Sequence, residues 1–545
     1  MSVESIPNDE LTAQREKALV ELGNGNVEAA HQIFKLVVRA NSEDSTAWIG
    51  LGECLEQMSN PMGAKSAYNQ ARRVNPESFL AAHGLGRSLI MLDRPQMAVA
   101  ALKDAIALDP NSEATWCDLG TAYKNLQRYP DAEDSFHNAL SLNPNFSLAH
   151  LNLGNCFREQ GDLKKAIAHF EKALSLDPSS IHAVTNLAAT VSDTGETDAA
   201  ITVIDKHLKS HPDNVECHQN KALILLRAAN LSDGFEEYEW RFQPSRFGVP
   251  VRPFPRPKWR GEPLEDRSLL IWLEQGIGDE ILSLSIWKTL LNSEDGRRCI
   301  VECDPRLQDL LKRSFPLVTV VDRQTPPAAR TKESDLTCAA WSGARFLDTT
   351  PAYSPDKHGY LVADRAAALA LRKKYEGLAQ GRTIVGLSWS SAARKGRLKT
   401  PPIASWDALL QDEDYFFVNL QHAPSEDDLA HLQDKSRGRF YVDKPPQAST
   451  NLDNHAAELS AVDAVVTISN STAHLAGALG VAVATAVPSG YGGFWYWFRD
   501  RTDSPWYPSM RICRQTSPEN WQSAISSAHE WLKTSPWGGK PLSQG

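Results

Sequence analysis

The first half of this chain repeats itself every 34 residues, and a fixed period of that length narrows the possible folds more than any other feature. Trp116, Leu119, Gly120, Tyr123, Ala132, Phe136, Ala139 and Pro144 recur one period later as His150, Leu153, Gly154, Phe157, Ala166, Phe170, Ala173 and Pro178. One period earlier stand Ala82, Leu85, Gly86, Leu89, Ala98, Leu102, Ala105 and Pro110, and before them Trp48, Leu51, Gly52, Leu55, Ala64, Tyr68, Ala71 and Pro76. The register runs over residues 11–240 as about seven units, the outer two degraded. Large residues at the first positions fill one helix face. Small ones, such as Gly120 and Ala132, let two helices approach. The proline closes the second helix. No unit of this size buries its apolar face alone, so the units are expected to stack into a superhelix with a concave groove.

This pattern resembles the tetratricopeptide repeat, which implies an all-α superhelix. Packing does not explain one position in it. Asp118, Asn152, Asn186 and Asn220 are also 34 apart, each on the first helix of its unit. A side-chain amide both donates and accepts, so a ladder of them can hold an extended peptide without reading its sequence. The large eukaryotic protein O-GlcNAc transferase carries a similar asparagine ladder, and these residues are the candidate protein-substrate groove. The alternative is a solvated polar face, and Gly50 and Gly84 interrupt the ladder in the earlier units.

Residues 241–266 form a proline-rich junction; with Trp240, the stretch holds six prolines, which end the helical period. Its aromatic and basic residues suggest that it packs across the junction. Beyond it the pattern changes to short apolar runs alternating with amphipathic ones, the signature of parallel sheets. Strands are expected at 267–273, 297–304 and LVTVV in a first lobe (267–375), and at 383–391, 416–421, 464–469 and 481–487 in a second lobe (380–535). A final helix near 518–533 is expected to cross back to the first sheet.

Three loops carry candidate chemistry. The first strand runs into Glu274, Gln275, Gly276, Ile277, Gly278, Asp279 and Glu280. Gly276 and Gly278 permit a tight turn and close approach of backbone to ligand. The spacing is not that of a nicotinamide fingerprint. The second lobe opens with Ser388, Trp389, Ser390 and Ser391, followed by the cations Arg394, Lys395, Arg397 and Lys399. Hydroxyls, amides and cations at a strand end suit a diphosphate, and so does Gln421 at the end of the next strand. In the third, strand 464–469 ends in Ser469, Asn470, Ser471, Thr472, Ala473 and His474, where a helix begins with free amides that can bind an anion. Trp495, Tyr496, Trp497, Arg499 and the run 504–509 either line this pocket or plug the core.

Two Rossmann-like lobes with these loops resemble the GT-B glycosyltransferases, and the loops resemble those of the heptosyltransferases. That resemblance makes Asp279 the candidate general base, with Glu280 in reserve; an N-capping role is the alternative, and one residue can fill both. It places the donor phosphate at Ser469–Thr472, with His474 beside it. Ser469 stands where that family carries an acid, which leaves the donor sugar open. The whole layout is similar to bacterial repeat–transferase fusions that glycosylate flagellin and other proteins. The implied reaction is metal-independent transfer from a nucleotide sugar, a CMP-linked nonulosonic acid or a UDP-sugar, to Ser or Thr of an acceptor protein such as flagellin. No further cofactor is implied. The competing readings are a glycan- or lipid-directed transferase whose repeats only dock it, and a scaffold with an inactive transferase domain.

Composition limits the rest. The net charge of −10 argues against a broad nucleic-acid-binding face. No run approaches the about 18 apolar residues of a membrane span. The polar start MSVESIPNDELTAQREK has no signal-peptide character, and a cytoplasmic protein is expected. Eight scattered cysteines without a CxxC pair read as reduced, buried thiols and not as a zinc site.

Overall fold

The computed structural model describes residues 7–244, 249–349, 359–391, 396–443, 452–490, 492–518 and 520–534. The chain divides into two compact units, Met1–Thr190 and Val191–Gly545. The expected fold class is found: an all-α repeat array, then an α/β part with two parallel sheets.

Among the described residues the array consists of helices in pairs: α1 (Asn8–Gly23) with α2 (Val27–Ala40), α3 (Ser45–Gln57) with α4 (Pro61–Val74), α5 (Phe79–Met91) with α6 (Pro95–Leu108), α7 (Glu113–Asn125) with α8 (Tyr129–Leu142), and α9 (Ser147–Gln160) with α10 (Leu163–Leu176). Next come α11 (Ile181–Asp193), α12 (Thr197–Leu208), α13 (Val215–Arg227) and α14 (Leu231–Tyr238). The periodic glycines explain how closely the pairs meet. A Cβ on Gly120 would sit 2.6 Å from the Phe136 ring, and one on Gly154 would sit 2.5 Å from Phe170. In these pairs the large residue of the second helix fills the notch left by a glycine on the first. The helix ends follow from the prolines. Asn75, Asp109 and Asn143 precede Pro76, Pro110 and Pro144 and adopt extended backbone, with ψ of 91°, 99° and 94°; a residue before proline is pushed out of the helical region.

In the second unit the first lobe has strands β1 (Leu269–Trp272), β2 (Cys299–Cys303), β3 (Thr319–Asp322) and β4 (Leu336–Ala339), all parallel, in the order β3-β2-β1-β4. Helices α15 (Ile277–Leu291) and α16 (Gln308–Ser314) connect them. The second lobe begins with α17 (Arg365–Ala379), which packs against α20 (Leu452–Ser460) and the sheet. Its strands are β5 (Thr383–Ser388), β6 (Tyr415–Asn419), β7 (Phe440–Tyr441), β8 (Ala464–Ile468), β9 (Val483–Val487) and β10 (Met510–Arg514). All are parallel, in the order β10-β9-β8-β5-β6-β7. Helices α18 (Asp407–Gln411), α19 (Glu426–Lys435), α21 (Ser471–Ala478) and α22 (Trp521–Thr534) complete the lobe. Every residue of β1, β5 beyond its first, and β8 is buried or nearly so, as expected of strands covered on both faces.

The proline-rich junction packs on the first lobe. Thr337 of β4 donates its N–H to Pro257 and accepts from Trp259, and Trp259 is buried against Trp287. The last helix departs from expectation. α22 does not cross to the first sheet; it lies on β9 and β10, and Trp521, Ala524, Ile525, Ala528 and Leu532 join the core of the second lobe. These five residues form one helix face, and the β9–β10 surface is where that face finds apolar cover. All eight cysteines are free and buried. Among the described residues no helix is long and apolar enough to cross a membrane.

Candidate active site

Both sheets change winding direction at one point. In the first lobe the chain runs β1, β2, β3 to one side and returns to put β4 on the other side of β1. In the second it runs β5, β6, β7 one way and then β8, β9, β10 the other. Loops leaving the carboxyl ends of β1, β5 and β8 diverge there, and open α/β sheets bind ligands in the resulting crevice. A cavity of about 330 Å³ lies at these ends, lined by Gly278 and Asp279 from the first lobe and by Ser388, Ser390, Ser391, Lys399, Gln421, His422, Ser469, Asn470, Ser471, Thr472, His474, Phe494 and Tyr496 from the second.

Asp279 occupies the first turn of α15. Its carboxylate accepts the Gly276 N–H at 3.2 Å and also faces the cavity, so one residue caps the helix and lines the site. Burial pushes its carboxyl up to about 6, against the pull of the Gly276 amide and the Lys399 cation. Near neutrality it is mostly a carboxylate, yet basic enough to take a proton. Glu280 does not share the cavity. It is fully buried behind α15, paired with Arg323 at 2.6 Å and accepting the Asp304 N–H. Consecutive helix residues point about 100° apart, so only one of the two carboxylates can face the cleft.

Opposite Asp279, Asn470 caps α21. Its Oδ1 accepts the Ala473 N–H at 3.2 Å, and its Nδ2 donates to Ser388 Oγ at 2.9 Å across the β5–β8 switch point. Ser471 stands exposed in the first turn. Lys399 is 6% exposed, its ammonium 4.6 Å from the Phe494 ring, and Phe494 stacks on Tyr496. Burial draws the Lys399 pKa down while Asp279 holds it up.

Some sequence-derived candidates line the cavity and also hold its wall together. Gln421 Oε1 accepts from Ser388 Oγ and from the backbone N–H groups of Trp389 and Ser390, at 3.1, 3.0 and 2.9 Å. The β5 loop amides expected to cradle a diphosphate are therefore already engaged. Ser469 Oγ accepts the Trp497 Nε1–H at 2.7 Å. Thr472 Oγ1 and His455 Nε2 lie 3.3 Å apart. His474 is boxed by the Tyr496, Trp497 and Tyr507 rings and hydrogen-bonded to the Tyr507 hydroxyl; burial, then Lys399, depresses its pKa to about 3. It is a neutral group at the cavity wall. Lys395 and Arg394 lie outside the described residues, as does the Arg397 side chain.

Gly278 has a reason visible only in three dimensions. A Cβ there would come 2.8 Å from His474 Cδ2, so its bareness lets the start of α15 meet α21. The aromatic run divides between the two roles expected of it: Tyr496 lines the cavity, while Trp495 and Trp497 are buried in the core. His422 and Phe494 were not anticipated; a lone residue after a strand end and a lone aromatic in a glycine-rich loop give no periodic signal. The ladder residues are half-buried and engaged locally. Asp118 bonds His83 at 2.7 Å, Asn152 reaches Thr121, Asn186 donates to Asn155, and Asn220 donates to the Glu216 carbonyl.

Family models described as tetratricopeptide repeat match residues 15–58, 55–113 and 117–181, and a second such model matches 157–224. The chain thus carries tetratricopeptide repeats over its N-terminal part. Protein FlbA of Caulobacter vibrioides is 30% identical over 308 residues, covering 53% of this chain and 50% of that protein; the chain spans about half the length of this relative. Similar solved structures include YrrB, described as a TPR protein with an unusual peptide-binding site (22% identity, 33% of this chain, 90% of that one, TM-score 0.28), and PilW, a type IV pilus biogenesis factor (18%, 39% and 98%, TM-score 0.36).

Proposed function

We propose that this chain is a glycosyltransferase that moves a sugar from a nucleotide-sugar donor to a Ser or Thr hydroxyl of a protein held by the repeats. The observation that carries the reading is the facing of Asp279, on one lobe, with the α21 N-terminus and Lys399 on the other, across one cavity at both switch points. Asp279 takes the proton of the acceptor hydroxyl as that oxygen bonds to the anomeric carbon. The bond from that carbon to the donor phosphate oxygen breaks, and its electron pair leaves with the nucleotide. The negative charge gathering on the phosphate is met by the first-turn amides and dipole of α21 and by Lys399. Because His474 is neutral, the cation at this site among the described residues is Lys399.

The tetratricopeptide repeats support a protein acceptor, since such arrays present extended concave surfaces. Flagellin is the acceptor suggested by the layout's resemblance to bacterial repeat–transferase fusions, with a CMP-nonulosonic acid or a UDP-sugar as donor. The test pairs two measurements on the full-length protein. One of CMP, UDP or their sugar conjugates should raise the melting temperature by mass action, and flagellin co-expressed with the protein should gain mass by whole sugar units. Failure of every nucleotide to bind, together with an acceptor of unchanged mass, would overturn the reading.

A further inference from the structure

The last helix pair is built into the turn from which the Asp279 helix starts. After α14, a 3₁₀ turn at Glu239–Phe242 brings Arg241 against Glu274, two residues before Gly276. Both residues are buried, each 2% exposed. Arg241 Nε and Nη2 donate to the two Glu274 carboxylate oxygens at 2.9 and 2.7 Å, the paired fork that fixes orientation as well as distance. Nη1 donates to the Tyr238 carbonyl and to Glu239, and Nη2 also donates to Ser342. All five guanidinium N–H groups are thereby used. The guanidinium is stacked between the Tyr238 and Phe242 rings, 4.8 and 4.0 Å from their centroids. Glu274 also accepts the Trp341 N–H at 3.3 Å.

The next residue is held from the same side. Gln275 has a φ of 68°, a left-handed conformation that a residue other than glycine keeps only when its surroundings impose it. Its side-chain amide donates to the Tyr238 hydroxyl at 2.7 Å. Gly276 follows, and its N–H is the one that Asp279 accepts. α14 itself is anchored by Phe235, packed against Trp341 and Trp495, and by Glu236, paired with Arg345 at 2.6 Å.

We propose that Tyr238 and Arg241 are positioning residues for Asp279: they fix the Glu274–Gly276 turn, so the end of the repeat array completes the active site. The assignment of a chemical role to Asp279 rests on the glycosyl-transfer reading. The geometric claim does not. A cut between the two halves at residue 240 would separate Tyr238 from Gln275 and leave Glu274 dependent on a frayed Arg241.

The test uses the full chain with Tyr238→Phe, which removes one hydroxyl and keeps the ring, and Arg241→Lys, which keeps the charge and loses the fork. Hydrogen–deuterium exchange of the peptide spanning residues 274–281 should speed up about fivefold in Tyr238→Phe, the effect of one net hydrogen bond, and more in Arg241→Lys. Exchange in the β5–β10 sheet should stay as in the parent. Turnover of sugar transfer should fall by a similar factor, with the affinity for the donor nucleotide, tested as CMP and UDP, unchanged. A purely structural role would lower donor affinity and exchange protection everywhere together. Unchanged exchange at 274–281 in a folded Tyr238→Phe protein overturns the proposal. A parent protein that transfers no sugar overturns the functional reading instead, and the exchange result still decides the positioning.

Discussion

Asp279→Asn should make the protein inactive and more stable at the same time, and the gain should depend on pH. The native carboxyl sits at about 6 against an ordinary 3.8, because burial disfavours its charge. A carboxyl raised on folding favours the protonated native state, so its contribution to stability is present below about pH 4 and is lost as pH rises through 6. At 1.36 kcal/mol per pH unit of difference, ionisation costs the native state at most about 3 kcal/mol above pH 7; water reaching the half-buried carboxylate reduces this to about 1–2 kcal/mol. That net figure already contains the attraction of Lys399. An amide mimics the protonated acid and can still accept the Gly276 N–H. Asp279→Asn should therefore unfold later than the parent at pH 7.5, by a few degrees at most given about 2–4 °C per kcal/mol for smaller domains. The gap should roughly halve at pH 5, where the native parent is protonated but its unfolded chain is still ionised. Calorimetry at the two pH values, following the transition of the α/β unit, reads this directly. Transfer should fall about 10²–10⁴-fold with nucleotide affinity kept. A variant that melts below the parent at pH 7.5 would refute the burial argument, and one that still transfers sugar at the parent's rate would refute the base assignment.

Three further outcomes follow from the geometry. Lys399→Met should weaken nucleotide binding about 10–100-fold, the scale of a lost charge-assisted contact, and should move the acid limb of the rate profile upward from about pH 6, because Lys399 holds the Asp279 pKa down; isothermal titration and a pH–rate series check the two parts. Gly278→Ala should abolish transfer while the repeat array melts as before, since the new Cβ would lie 2.8 Å from a His474 ring that aromatic neighbours prevent from moving; full activity would show that the two lobes do not need this contact. Changing Asn152, Asn186 and Asn220 together to Ala should reduce acceptor pull-down by a few kcal/mol if the ladder grips the acceptor. It should also lower the melting point of the array, at about 0.5–1.5 kcal/mol for each hydrogen bond lost; a lower melting point with undiminished acceptor glycosylation would assign the ladder to helix–helix bonding alone.

The ladder shows how a pattern can be legible while its use is not. The spacing of Asp118, Asn152 and Asn186 is plain in the sequence, but each polar head has a choice between a peptide and the neighbouring first helix. The structure shows His83, Thr121 and Asn155 within reach. Gln421 and Ser469 are parallel cases: a polar residue at a strand end suits a ligand or a neighbouring N–H, and only the distances reveal that Gln421 holds loop amides and Ser469 the Trp497 indole while both line the cavity. Glu280 differs from Asp279 by one helix step, and that rotation sends it to Arg323.

The amino-acid sequence by itself determined the helix pairs, their length and their closure. These depend on residues within one period of each other, as when Phe136 fills the notch at Gly120 or Pro144 turns Asn143 out of the helix. It also determined the alternation of strands and helices, and placed the glycine-rich and hydroxyl-rich turns at strand ends. Only the tertiary structure decided that Asp279 and not Glu280 faces the cleft, that α22 lies on the second sheet, and that Arg241 reaches Glu274. These depend on burial and on partners far apart in the chain. A local pattern fixes which face of an element is apolar, but not which of several apolar surfaces will cover it, nor which buried charge will find its counter-ion there.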